Sequence, residues 1–254
     1  MDIHKPKTWH GVREFLKEYV IIVVGVLTAL GAEQMVEAIH WSHKVDDAKR
    51  RLNVELTVID WSALERDMVD NCLDRRLTDL ETQLLGGVGR WTPLPPMMNP
   101  ILGPTTYFVP SRQWTDQVWT AVTADGTATH LPADREQDYG FTYAQAAQVQ
   151  AYNNAEYIEV GALNVLNSAT DLPQSDRLRL AGQIEQERRR NRLMALMARQ
   201  LMFKIGKLGA HDQAKTLDTM LRRSNTYRAC AALNLLPPGS PPPRAAADPA
   251  AINR

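Results

Sequence analysis

Glycine and proline are absent from residues 32–85 of this 254-residue chain. Both break or weaken a helix from within, so their absence excludes a series of short, turn-separated elements there. Cysteine is nearly absent too. Cys72 and Cys230 are too few for a disulfide scaffold and lack the clustered spacing of a zinc site. One disulfide, in a periplasmic domain, and two buried free thiols are both open readings. An excess of one charge sign is also missing, since Lys+Arg 29 balance Asp+Glu 29. That balance implies no polyanionic partner, and nucleic acid is not expected. No Gly-rich phosphate loop, zinc pair or nucleophile elbow occurs. Gly86-Gly-Val-Gly89 precedes a Pro-rich loop and not a helix, and Ser, His and Asp fall into no recognisable arrangement. No catalytic residue, cofactor or metal is assigned, and the chain is not read as an enzyme.

What is present begins with "EYVIIVVGVLTALGAEQ", Glu18 to Gln34. Tyr19 to Ala32 is uncharged and rich in Val, Ile and Leu. That core alone falls short of the ~20 residues a membrane span needs. Its flanks lengthen it: Phe15 and Leu16 precede it, Lys17 can snorkel, and Met35, Val36, Ala38, Ile39 and Trp41 follow. Tyr19 and Trp41 suit the two interfacial belts and lie roughly 33 Å apart on a helix. A signal peptide is the rival, with small residues at Ala29-Leu30-Gly31 or Leu30-Gly31-Ala32. Glu14 and Glu18 in the leading region argue against it. A soluble core or interfacial helix is the third reading. The anchor reading gives a cytoplasmic head over 1–14, a transmembrane anchor over 15–41, a helical bundle over 42–235 and a Pro/Ala-rich tail over 236–254. Positive charge is even on both sides of the span (Lys5, Lys7, Arg13 and Lys17 against Lys44, Lys49, Arg50 and Arg51), so it does not decide orientation. The head is expected inside a bacterial inner membrane and the large domain in the periplasm.

The stretch "EFLKEYVIIVVGVLTALGAEQ" resembles the N-terminus of uncharacterised bacterial single-pass membrane proteins. The matching residues are Glu18, Ile21, Val24, Gly25, Val26, Leu27, Ala29 and Leu30, about a tenth of the chain with their neighbours. "VWTAVTADGTATHLP" (Val118 to Pro132) resembles a tryptophan helix ending in a Gly turn. The resemblance implies an anchored helical domain and carries no activity.

Beyond the anchor, Val45, Ala48, Leu52, Leu56, Ile59 and Ala63 step by three and four, as do Leu73, Leu77, Leu80 and Leu84. The pattern predicts an amphipathic helix continuing out of the membrane, either unbroken or with one break. Unbroken from Val12 to Leu85, it would be roughly 110 Å long. Residues 86–110 hold six prolines and read as a long irregular loop. A short helix is expected after a Ser111 cap, ending at Asp125-Gly126. A helix from Pro132 to about Asn167 follows, then Asp176 to Leu208, a break at Gly209, and a last helix from His211 to about Leu235. The tail reads as disordered or extended. The fold class is all-α, an N-terminal transmembrane helix continuing into an elongated antiparallel bundle.

Charge is uneven along the chain. Asp46–Glu81 holds ten acids against six bases, and Arg177–Arg228 thirteen bases against four acids. Antiparallel acidic and basic helices that neutralise each other are the preferred reading. The alternative gives Arg188, Arg189, Arg190 and Arg192 to lipid headgroups or nucleic acid.

Three sets of residues carry candidate function. Glu33, Glu37, His40 and His43 lie at the membrane edge, where Glu37 and His40 have the Glu-x-x-His spacing of carboxylate-bridged metals. One helix cannot close such a site, so a metal or pH response would need an oligomer. Glu18, Gly25, Ala29, Ala32 and Val36 form one helical stripe, with Gly25 and Ala29 a small-xxx-small pair, and read as an oligomer seam. Ten of the chain's 17 aromatics lie in or next to loop 86–110. Trp91, Tyr107, Phe108, Trp114 and Trp119 are the candidate partner or ligand pocket, with Trp114 and Trp119 expected against that loop. The functional expectation is a membrane-anchored binding, scaffolding or sensing module. It would act as an oligomer or as a subunit of a membrane complex, with the lipid bilayer, itself and other subunits as partners. The alternative is a transport accessory or channel-like oligomer using the polar turn at Glu33 to Glu37.

Overall fold

The computed structural model describes residues 11–101, 103–168 and 170–244. It is all-α. Helix α1 (Val12–Gly86) runs 75 residues without interruption, about 112 Å at 1.5 Å per residue. Its first part is exposed throughout, from Val12 to His40 apart from a half-covered Val23. Its buried face starts at Val45 and continues through Leu52, Leu56, Ile59, Val69, Leu73, Leu77, Leu80 and Leu84. α1 therefore covers both the expected anchor and one wall of the expected bundle. Most of the expected head, residues 1–10, lies outside the described residues.

Helix α2 (Gln117–Ala124) and a 3-10 turn (Thr127–His130) lead into α3 (Ala133–Val160), which Pro132 precedes. The long helix expected to about Asn167 tightens into a 3-10 stretch over Gly161–Asn167. The expected Ser111 cap is not used, because α2 starts six residues later. Helix α4 (Gln174–Leu208) is antiparallel to α1: Arg177 meets Leu84, Asn191 meets Asp70 and Arg199 meets Asp67. Gly209 ends α4 with φ +78°, a left-handed conformation that glycine adopts without a Cβ clash. The Ala210 N–H then reaches back to the Ile205 carbonyl at 3.2 Å.

The last helix is two. Helix α5 (Gln213–Arg223) is capped by Asp212, and α6 (Asn225–Ala232) by the buried Ser224, whose hydroxyl accepts the Tyr227 N–H at 2.8 Å. The cap explains the correction, since a serine side chain that bonds a backbone N–H offers the chain a helix start instead of helix interior. The tail is held as far as Arg244. Tyr227 Oη donates to the Pro241 carbonyl at 2.7 Å, and the Arg244 side chain pairs with Asp218.

Loop 86–110 is more ordered than its prolines suggested. Strand β1 (Arg90–Trp91) pairs with β4 (Thr170–Asp171), and β2 (Met97–Asn99) pairs with β3 (Gly103–Thr105), both antiparallel. Two buried arginines pin the loop to backbone carbonyls. Arg76 donates to Thr106 and Pro95, both at 2.7 Å, and Arg177 to Leu172, Leu84 and Gly89. A Cβ on Gly87 would come within 2.8 Å of Arg177 Nη1, so a side chain there would push the guanidinium out.

The acidic and basic helices neutralise each other as expected. Arg188 bonds Asp74 and Glu81, Arg192 bonds Asp74, and Arg199 bonds Asp67, all between α4 and α1. The two cysteines form a disulfide, Cys72–Cys230, which ties α6 to α1 across a separation of 158 residues. Cross-linking so long a loop restricts the unfolded chain. Cys72→Ser is expected to cost about 2–5 kcal/mol. The check is the melting temperature of the full chain in detergent with and without reductant. The parent should lose stability on reduction and the variant should not.

Candidate functional site

The interior is not one continuous apolar core. Around Leu52, Leu56, Ile59, Tyr139, Tyr143, Met194 and Leu201 lies a proximal cluster, nearer the exposed start of α1. A distal cluster gathers Leu73, Leu77, Leu80, Trp91, Phe108, Leu180 and Tyr227. Between them a layer of buried polar side chains crosses the bundle: Glu65 and Arg66 from α1, Asn153 and Glu156 from α3, Glu187 and Asn191 from α4. Each interrupts the apolar stripe of its own helix at the same level.

Within that layer Arg66 forms an ion pair with Glu156, both fully enclosed. Arg112 forks onto Glu65 at 2.5 and 2.9 Å, a bidentate geometry suited to guanidinium and carboxylate. Asn191 donates to Asp70 Oδ1 at 2.8 Å. Arg190, at the edge, reaches Glu159 at 2.6 Å and Glu187 at 3.4 Å. Glu187 lies beside Glu156, and Glu156 Oε2 and Glu187 Oε1 have no hydrogen-bond partner among the described residues. Burial, and then the negative charge of Glu156, push the Glu187 carboxyl up to about 8. Sequence reasoning missed this pair, because Glu187 stands in a strongly basic run and Glu156 among scattered acids.

A second polar contact resembles a relay but is not arranged as one. Buried Asp60 Oδ2 lies 2.6 Å from His211 Nδ1 and accepts the Thr216 hydroxyl at 2.7 Å. A nucleophile relay needs the hydroxyl on the far ring nitrogen. Here both groups end on one carboxylate, which fastens the start of α5 to α1.

At the foot of the bundle, next to the exposed part of α1, that helix and the turn before α3 line an open cleft of about 530 Å³, whose walls include Gln34, Glu37, Trp41, Asp46, Lys49 and His130. The rings of Trp41 and His130 stack at 3.7 Å and 16°. Lys44 sits 4.7 Å over Trp41 and pairs with Asp125 at 3.2 Å. Hydrogen bonds from the Thr127 hydroxyl and backbone, followed by Lys44, hold the Asp125 carboxyl down at about 2.

The candidates from sequence are placed as follows. Glu37 enters the cleft and accepts the Trp41 indole N–H at 3.4 Å. Glu33, His40 and His43 are exposed. Among the described residues no group of three or more His, Cys, Asp or Glu could hold a metal ion. The sequence offered no signal for His130, which lies far from Trp41 along the chain. The five aromatics do not form one pocket. Trp91, Tyr107 and Phe108 belong to the distal cluster, with Trp91 Nε1 donating to the Leu166 carbonyl at 3.0 Å. Trp114 and Trp119 belong to the proximal cluster, where Trp119 stacks on Tyr139 and Tyr143. Trp114 and Trp119 thus pack in a different cluster from the loop aromatics Trp91, Tyr107 and Phe108, because α2 and the start of α3 return to the foot of the bundle. Glu18, Gly25, Ala29, Ala32 and Val36 are all exposed, and a Cβ on Gly25 would meet nothing within 4 Å.

No protein-family model, curated protein or solved structure matches the chain.

The raised Glu187 pKa sets a pH dependence. The Glu187 pKa is raised on folding, so the folded chain holds a proton that the unfolded chain releases above about pH 4.5. Stability is then highest below that value and falls as pH rises through about 8. Asp70, raised mainly by burial, adds in the same direction. The melting temperature should decline between pH 5 and 8. Glu187→Gln, which imitates the protonated form, should flatten most of that decline. A decline as steep in the variant would show that Glu187 is not its source.

Proposed function

We propose that the chain is a membrane-anchored helical module for binding, scaffolding or sensing. It works as an oligomer or as a subunit of a membrane complex. α1 carries the proposal. It is the one helix among the described residues long and apolar enough to cross a membrane, and none of its most apolar 18-residue window is buried. Val20, Ile21, Ile22, Val24, Val26, Leu27 and Leu30 are each half or more exposed. Apolar area left in water forgoes about 25 cal/mol per Å², and a bilayer would cover it. The helix then enters the bundle core without a break, so the anchor and the domain form one rod.

In this reading the bundle lies on the periplasmic side of a bacterial inner membrane. The Cys72–Cys230 disulfide supports this, because such bonds persist in oxidising compartments. The seam reading is supported by the small-xxx-small spacing of Gly25 and Ala29 and by the exposure of the whole stripe.

Two measurements test the proposal. The full chain should remain with membranes after carbonate extraction, and release in soluble form would end the anchor reading. Gly25→Ile and Ala29→Ile should lower the cross-linked oligomer fraction in membranes, whereas Val23→Ile should not. Equal cross-linking of the parent and all three variants would remove the seam.

A further inference from the structure

A small cavity opens between α3 and α4 beside the polar layer. Its volume is about 280 Å³, and it is lined by Glu159 from α3, Ala162 and Leu163 from the 3-10 stretch, and Gln183, Gln186 and Glu187 from α4. On each side the residues recur at three and four positions, within about 6 Å along the helix axis. The Arg190–Glu159 and Gln145–Gln200 contacts set the two antiparallel helices in register. Ala162 and Leu163 therefore stand opposite the turn Gln183–Glu187, and the lining converges on one small space.

Glu187 distinguishes this cavity from the open grooves on the surface. It is 2% exposed, and its Oε1 has no hydrogen-bond partner among the described residues. Its Oε2 lies 3.4 Å from Arg190, which Glu159 engages more closely at 2.6 Å. Glu187 faces Glu156 on α3, Arg66 on α1, Arg190 on its own helix and the Tyr107 hydroxyl from loop 86–110. Tyr107 stays neutral, because burial pushes its hydroxyl well above its ordinary value. With Glu159, three carboxylates meet two guanidinium groups, so one carboxylate is in excess. Near neutral pH a proton makes up the difference, since burial and then Glu156 push the Glu187 carboxyl up to about 8. A cation in the cavity can take that proton's place.

Size and donors define the cation. Sites for drug-sized molecules span about 300–1,000 Å³, so a cavity of about 280 Å³ suits a smaller compound. Leu163 and Ala162 make one wall apolar, while the two carboxylates and the Gln186 amide oxygen accept hydrogen bonds. A primary ammonium carries three N–H groups to match those acceptors. A metal ion suits them less, because no group of three or more His, Cys, Asp or Glu among the described residues could hold one.

We propose that this cavity binds a small primary ammonium compound with a short apolar body. The ammonium donates to Glu187, Glu159 and Gln186, and the body lies on Ala162 and Leu163. On binding, Glu187 gives up its proton to solvent and the ligand keeps its own charge. The inference rests on the binding reading, to which it gives a ligand class, and not on the anchor or the seam.

The test uses the full chain in mild detergent, titrated calorimetrically with n-butylammonium, tetramethylammonium and potassium chlorides. At about pH 8.5, n-butylammonium should bind about tenfold more tightly than tetramethylammonium, which has the same charge and no N–H, the effect of about one charge-assisted hydrogen bond. Potassium should bind no more tightly than tetramethylammonium. Below about pH 8 the affinity for n-butylammonium should fall about tenfold per pH unit, because the proton on Glu187 competes with the ligand. Glu187→Gln should remove that pH dependence and weaken binding about tenfold. Ala162→Phe, at the exposed rim, should block the cavity while leaving the melting temperature and its decline with pH unchanged. Carbonate extraction of the same variants separates loss of the anchor from loss of the ligand, and Gly25→Ile should leave binding intact. No binding of n-butylammonium, equal affinity for the three cations, tighter binding of potassium, an affinity independent of pH, or undiminished binding by Glu187→Gln would overturn the proposal.

Discussion

The backbone hydrogen-bond ladder of α1 is continuous from Val12 to Gly86, and the other elements are arranged around that continuity. In lipid, a spanning segment must satisfy every backbone N–H and C=O within itself, which a helix does. In the bundle the same ladder frees the side chains to pack. Because no turn separates the two regimes, no hinge does either. α4 lies antiparallel along the rod, while α3, α5 and α6 run in the same direction as α1. The disulfide holds the distal end of this return path to the rod.

The polar layer decides how the helices align along that rod. Above and below it, leucines face leucines, and an apolar stripe tolerates a shift by one turn. At the layer a shift is costly. Moving α4 by one turn would take Glu187 away from Arg66 and Glu156, and Asn191 away from Asp70. A buried charge left without its partner costs several kcal/mol. Arg66, Glu156 and Glu187 thus serve as a register mark, supplied by three helices that are distant in sequence. The raised pKa of Glu187 makes this mark sensitive to pH.

Position along α1 also sorts its surroundings. The exposed apolar turns suit acyl chains, Trp41 and the cleft stand where headgroups would be, and the leucine ladder begins at Val45. One helix therefore carries both the exposed apolar turns and the first wall of the bundle.

The amino-acid sequence by itself determined the extent of α1, because residues 32–85 contain nothing that breaks a helix and their apolar positions recur every three or four. It determined the break at Gly209, where only glycine takes the left-handed turn easily. It also favoured the pairing of the acidic segment of α1 with the basic α4 that the structure shows. These are local properties, fixed by spacing and by φ/ψ preference. Tertiary structure alone decided the rest. A single capping hydroxyl at Ser224, of the order of 1 kcal/mol, splits a pattern that otherwise reads as one helix. The strand pair of Arg90–Trp91 with Thr170–Asp171 is too short to show in periodicity. The Trp41–His130 stack, the Arg66–Glu156 pair and the separation of Trp91 from Trp114 depend on which helix faces return to the same level. A charged residue looks the same in sequence whether water or another helix surrounds it. Only packing fixes its dielectric and its partners, and with them its chemistry.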